Sequence, residues 1–193
     1  MPPDSRSIHD EGVLIDNWKL VDRGVLREAE TVAMLKGAKY PARAPDINMA
    51  DLPVPTVFEL DSGAFITAAV GISRNPRTGK LNVGIYRTLI LGRNIVAVNA
   101  SSLSDLRKFY QHAEKTGEPM PIALALGVEP ALQMAASCKL PPDQSELELA
   151  GALQGTAIDL VKCETSDLLV PANAEMIIEG RVDFSRKIEN ILG

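Results

Sequence analysis

Histidine, cysteine and tryptophan are nearly missing from this sequence: two, two and one among 193 residues. His9 stands in a polar amino-terminal stretch and His112 on the outer side of a helical segment, so both read as surface residues. A histidine-based zinc site or catalytic triad is thereby nearly excluded. Cys138 and Cys163 form no C-x-x-C pair and no ligand cluster, which reads as two reduced, buried thiols instead of a disulfide frame. Phosphate-binding loops are lacking too. Neither G-x-G-x-x-G nor G-x-x-x-x-G-K-[ST] occurs, and PRTGK (residues 76–80) keeps only the final Gly-Lys, ahead of a strand. No apolar run approaches the roughly 18 residues that span a bilayer. The opening MPPDSRSIHDEG has the character of neither a signal nor a transit peptide, so a cytoplasmic protein away from membranes is expected. The formal charge of −5, with no Lys/Arg run interleaved with aromatics, argues against a nucleic-acid partner.

What is present is the balance of a globular chain, 46% hydrophobic and 23% charged, enough for one main domain. Four prolines in KYPARAPDINMADLPVPT (residues 39–56) mark the best boundary. Ahead of it, Val25, Leu26, Ala29, Val32, Ala33 and Leu35 recur at helical spacing and stop at Gly37, so residues 1–52 read as an appendage with one amphipathic helix. Behind it the period becomes two. AFITAAVGISR alternates apolar Ile66, Ala68, Val70 and Ile72 with small Thr67, Ala69, Gly71 and Ser73, NPRTGK reads as a hairpin loop, and a second strand is expected from Leu81 to about Leu91. GRN then turns the chain into IVAVNA, which completes a three-stranded meander. Leu103, Leu106, Phe109, Tyr110 and Ala113 make one stripe of a helix that opens on a Ser102 to Asp105 capping box and ends at Gly117. PIALALG reads as a strand, EPALQMAA and SELELAGALQG as helices, and TAIDLVKCE, DLLVPA and AEMIIEGRVD as further strands. Strands with helices inserted between them predict an α+β class, with a mostly antiparallel sheet or small barrel.

The stretch NVGIYR (residues 82–87) puts an amide, a glycine and a guanidinium into a strand that could be wholly apolar. Alternation sends Asn82, Gly84 and Tyr86 to one face and Val83, Ile85 and Arg87 to the other, so a straight strand cannot aim Asn82 and Arg87 at one ligand. Two explanations remain open on the residues alone. Asn82 ends a hairpin, Gly84 eases packing and Arg87 meets a surface carboxylate, or the three serve a site.

PVPTVFELDSGAFITAAVGISRNPRTGKLNVGIYRTLILGRN, PIALALGVEPALQMAASCKLP, SELELAGALQG and VKCETSDLLVPANAEMIIEG resemble the amino-terminal domain of the UbiD family of prenylated-flavin-dependent decarboxylases, over about residues 53–183. The resemblance implies a split β-barrel of flavin-binding type with inserted helices, placed in residues 53–193. It implies that Asn82 and Glu146 ligate a divalent metal, usually manganese, through hard oxygen donors. Ile85, Tyr86 and Arg87 then match residues lying along prenylated FMN, with Arg87 also catalytic as the partner of a substrate carboxylate. The small face at Thr67, Ala69 and Gly71 either admits the flat ring or is ordinary packing. The implied reaction removes CO₂ from an aromatic or α,β-unsaturated carboxylic acid.

Two departures qualify it. Asn99 to Asp105 reads NASSLSD, where many members carry Arg, Trp and His. The chain ends FSRKIENILG where the family continues into its acidic proton donor and carboxyl-terminal domain, so a partner chain supplying both is one expectation. A non-catalytic scaffold subunit, or a simple flavin-binding module, is the alternative. Residues 11–52 are instead similar to part of hydantoinase B and the acetone carboxylase subunit, and bring no catalytic motif.

Overall fold

The computed structural model describes residues 13–21, 43–44, 48–141 and 144–185. The helix expected ahead of Gly37 lies outside the described residues, as does His9. The strands are β1 (Val13–Val21), β2 (Arg43–Ala44), β3 (Phe65–Ile66), β4 (Val70–Arg74), β5 (Leu81–Ile85), β6 (Thr88–Ile90), β7 (Ile95–Val98), β8 (Pro121–Leu126), β9 (Leu160–Lys162), β10 (Leu169–Pro171) and β11 (Met176–Val182). The helices are α1 (Asp105–Thr116), α2 (Pro130–Ala136) and α3 (Glu146–Gln154). A nine-stranded sheet runs β3-β6-β7-β1-β11-β8-β4-β5, with β2 on β1, and β9 pairs with β10 apart from it. Its ladders are antiparallel. The class is therefore α+β, as expected.

Both faces of the sheet are covered, because alternate residues of the central strands feed different cores. Ile122, Leu124 and Ile178 join α1's Leu106, Phe109 and Tyr110 on one side. Ala123, Ala125 and Ile177 join Leu132 of α2 and Ala150 of α3 on the other. Each large side chain buried in this way contributes about 1.5–3 kcal/mol. Helix α1 follows its stripe, with Ser104 accepting the Arg107 N–H as N-cap and Gly117 closing the end in the left-handed region at φ 70°. The cap falls two residues later than the Ser102 to Asp105 box, and Leu103 drops out of the stripe at 74% exposure.

Three expectations change. The strand read through AFITAAVGISR is two strands: β3 pairs with β6 and β4 with β5 and β8, while Thr67 and Ala68 are exposed between them. The strand read from Leu81 to Leu91 also breaks, at Tyr86 and Arg87. The meander therefore stops there, since β5 ends the sheet on one side and β6 lies next to β3 on the other. A two-residue link reaches only ~10 Å, so the sheet must curl until its two ends approach. Finally, the stretch read as an appendage contributes β1, hydrogen-bonded between β7 and β11. Its signal is hidden by a register shift between Asp16 and Lys19, a bulge that interrupts the period of two. Met49 and Leu52, from the proline-rich stretch, are buried in the α1-side core.

Candidate functional site

The hairpin β4–β5 and helix α3 bring two of the predicted residues, Asn82 and Glu146, together at one edge of the sheet. Asn75 accepts the Arg77 and Thr78 N–H groups and Gly79 takes φ +72°, so NPRTGK is the tight loop its residues suggest. The loop pairs β5 with β4, and β5 is the terminal strand, with one row of backbone groups facing away from β4. One of them, the Val83 N–H, donates to Glu146 Oε2 at 3.4 Å. Ser145 caps α3 by accepting the Leu147 N–H, which sets Glu146 as the first helical residue, where the helix dipole favours a carboxylate.

Asn82 and Glu146 consequently line the same cavity, about 460 Å³ in volume, which Asp105, Lys108, Phe109 and His112 of α1 also border. Burial is the main cause that raises the Glu146 carboxyl above the usual range; its own backbone N–H and that of Val83 oppose it, and the Asp105 charge adds to it. Asp105 itself accepts from Lys108 Nζ at 2.7 Å. The donor set is an amide oxygen and carboxylates, the chemistry of a hard divalent cation. Among the described residues no group of three or more His, Cys, Asp or Glu forms a metal cage.

Ile85 and Arg87 are not among the residues that line this cavity. Ile85 is exposed at the end of β5. Arg87 pairs with Asp61 at 2.8 Å and stacks over the Phe65 ring, 3.7 Å from its centroid. Asn82 and Arg87 thus have different surroundings, although the strand that was expected to separate them by alternation ends at Ile85. Tyr86 is buried at 9% exposure, and its ring folds back over the paired glycines Gly71 and Gly84. A Cβ at Gly71 would meet Cδ2 of that ring at 2.6 Å, and one at Gly84 would meet its hydroxyl at 2.8 Å. The ring packed against the small face at Gly71 is therefore the protein's own. Burial raises the Tyr86 phenol above its usual range, partly offset by the Asn82 amide, whose Nδ2 donates to Tyr86 Oη at 3.3 Å.

Two residues escaped the sequence reading. Asp61 had no visible link to Arg87, 26 residues away. Glu179, in the middle of β11, is 1% exposed and accepts the Glu164 N–H, the Thr165 N–H and the Thr165 hydroxyl at 3.0, 2.8 and 2.7 Å. Its signal was an acid directly after the apolar MII (residues 176–178), which called for buried donors. Cys163 is buried as expected, whereas Cys138 is exposed just past α2, and the two are not bridged. His112 borders the cavity, 4.0 Å from Glu118. No helix among the described residues is long and apolar enough to cross a membrane.

Residues 31–192 match the family described as UbiD, 3-octaprenyl-4-hydroxybenzoate carboxy-lyase Rift-related domain. The phenolic acid decarboxylase of Bacillus subtilis is 39% identical over 142 residues, covering 71% of this chain and 30% of that protein. An uncharacterized protein of Aquifex aeolicus is 40% identical over 138 residues, covering 72% and 28%. Among solved structures, the UbiD-class enzyme HmfF from Pelotomaculum thermopropionicum, an evolved dimeric form in complex with prFMN, superposes with a TM-score of 0.67 at 41% identity, covering 70% of this chain and 32% of that one. The vanillic acid decarboxylase of Sedimentibacter hydroxybenzoicus in its closed form gives 0.67 at 35%, covering 70% and 30%. This chain thus spans less than a third of the length of each of these four proteins. By the extent of the match and the agreement of the superposed folds, the chain belongs to the UbiD family.

Proposed function

We propose that this chain is the cofactor-binding part of a UbiD-class decarboxylase that acts on an aromatic or α,β-unsaturated carboxylic acid, with prenylated FMN and a divalent cation, Mn²⁺ foremost. The observation that carries the reading is that Asn82 and Glu146 open onto one cavity, Val83 tying their elements together across 63 residues of sequence. Their hard oxygens, with Asp105 alongside, fit such a cation, whose charge would offset the burial that disfavours an ionised Glu146. A split barrel of flavin-binding type is the architecture we assign to the curled sheet. The family relatives solved with prFMN and with FMN support it.

When bound, the prenylated flavin supplies an electron sink for the departing CO₂. The chain's own residues bind and orient. Asn82 and Glu146 would hold the cation, and Arg87 would offer its planar fork to a carboxylate in place of, or beside, Asp61. The proton that replaces CO₂ is assigned to an acid outside these residues, on a further domain or a partner chain. A scaffold or plain flavin-binding role is favoured by one observation, that the Arg87 fork is already engaged by Asp61.

One experiment separates these readings. Co-expression with a flavin prenyltransferase, followed by absorbance and metal analysis of the purified chain, is expected to give bound flavin and manganese. Arg87→Ala is expected to lose flavin far more than Arg74→Ala, because Arg74 bonds to the Gly79 and Asp167 carbonyls. Finding neither flavin nor manganese in the unmutated chain would end the proposal.

A further inference from the structure

Asn82 differs from a carboxylate in that only one of its two terminal atoms can ligate a cation. Which atom faces the cavity is set by what the other one meets. Here Nδ2 donates to the Tyr86 hydroxyl, and Asn82 lines the cavity. The hydroxyl is in turn held in place from below. Tyr86 follows β5 directly, and its ring turns back along the strand across Gly84 and Gly71, which face each other in the β4–β5 ladder. Over four residues a strand advances ~13 Å, so the phenol reaches Asn82 only by lying flat along that path. Any side chain at either glycine would occupy the ring's place. The amide, the glycine and the tyrosine of NVGIY therefore work as one device: a smooth floor, a ring laid on it, and a hydroxyl at its far end that orients a ligand atom.

We infer that Tyr86 is a positioning residue for a divalent cation, fixing the Asn82 amide so that its oxygen, and not its nitrogen, faces the cavity. The inference rests on the cation-binding reading above. Partners of this kind change metal affinity without touching the metal, typically by about 10- to 100-fold.

The test uses the full chain, stripped with a chelator and titrated with Mn²⁺ alone, with binding read by calorimetry or by the paramagnetic signal of free Mn²⁺. Tyr86→Phe keeps the ring on Gly71 and Gly84, so its thermal midpoint is expected to stay near that of the unmutated chain while Mn²⁺ affinity falls about 10- to 100-fold. Asn82→Asp supplies the rescue, since either oxygen of a carboxylate can ligate. In the N82D background Tyr86→Phe is expected to change affinity by less than about twofold, the ordinary scatter of independent sites. Equal losses in the two backgrounds would mean that the hydroxyl acts on the fold in general, and would overturn the positioning role. So would an unchanged affinity of Tyr86→Phe in a chain whose Asn82→Ala variant no longer binds. If the unmutated chain takes up no Mn²⁺, the cation-binding reading fails first and the positioning role falls with it.

Discussion

Glu179 and Glu146 are both carboxylates withdrawn from solvent, one fully and one in part, but the protein treats them oppositely. Three donors converge on Glu179, two backbone N–H groups and a hydroxyl, all from the loop between β9 and β10. An ionised carboxylate with about four acceptor positions is nearly saturated by them. Glu146 receives only its own backbone N–H and one long bond from the edge amide of Val83, and opens onto a cavity with Asp105 beside it. A saturated carboxylate stabilises the fold and has little left to give a ligand. An unsaturated one makes the fold slightly worse and keeps its lone pairs for something that arrives later. The difference lies in the supply of N–H groups, which the topology controls: Glu179 faces a loop that curls around it, whereas Glu146 faces the side of a terminal strand.

The sharpest way to break this contrast is to delete each carboxylate. Glu179→Ala leaves three donors competing for partly excluded water and is expected to cost about 3 kcal/mol. Glu146→Ala is expected to stay within about 0.5 kcal/mol, as at sites with no saturated partner set. Urea midpoints at constant slope measure both. Equal costs would mean that Glu146 is as structural as Glu179.

A smaller effect tests the floor beneath Asn82. Gly84→Ala drives a methyl to within 3 Å of the Tyr86 hydroxyl and ring, and the ring is hemmed in by the α1-side core. The expected loss is about 1–3 kcal/mol, the usual cost of overpacking. Gly92→Ala has nothing within 4 Å of the added atom and is expected to be neutral or to stabilise by up to about 1 kcal/mol. Parity of the two variants in thermal unfolding would show that the ring moves aside at no cost, and that Asn82 is less firmly placed than Glu179 is.

Much of the fold was legible because local pattern and tertiary role agree in most elements. Helix α1 carries its stripe, its serine cap and its glycine stop, and the strands from PIALALG and AEMIIEGRVD onward fall where their composition puts them. What was hidden depends on contacts distant in sequence. The alternation of LNVGIYRTLIL continues through Tyr86 and Arg87, and only the curl of the sheet, which sends β5 and β6 to different ends, breaks the strand there. The convergence of Asn82 and Glu146 came from family resemblance, since no spacing rule joins the strand at Val83 to Glu146, 63 residues on. The small face at Gly71 left two readings open, room for a flat ring or ordinary packing, and the Tyr86 ring that lies on it is packing of the second kind. That this residue supplies it was hidden, because an i to i+2 fold-back over Gly84 runs against the habit of strand side chains to stand clear of their own backbone.

The smallest effect has the most informative sign. Glu146 titrates above the ordinary carboxylate value in the folded, metal-free chain, mainly because burial disfavours its charge. Below the unfolded value, near pH 4, both states are protonated and the neutral side chain costs nothing extra. As pH rises through the folded value the proton must leave a site that prefers it, so stability falls. Glu146→Gln stays neutral throughout. It should therefore match the unmutated chain at low pH and melt slightly higher at pH 7, by no more than about 4 °C. On the proposed cation site, saturating Mn²⁺ should reverse the order at pH 7, because a ligand bound only by the folded state raises its melting point and the glutamine lacks the charge assigned to hold the cation. A Glu146→Gln variant less stable than the parent in both conditions would place Glu146 with Glu179 as a carboxylate serving the fold, and would remove the contrast between them.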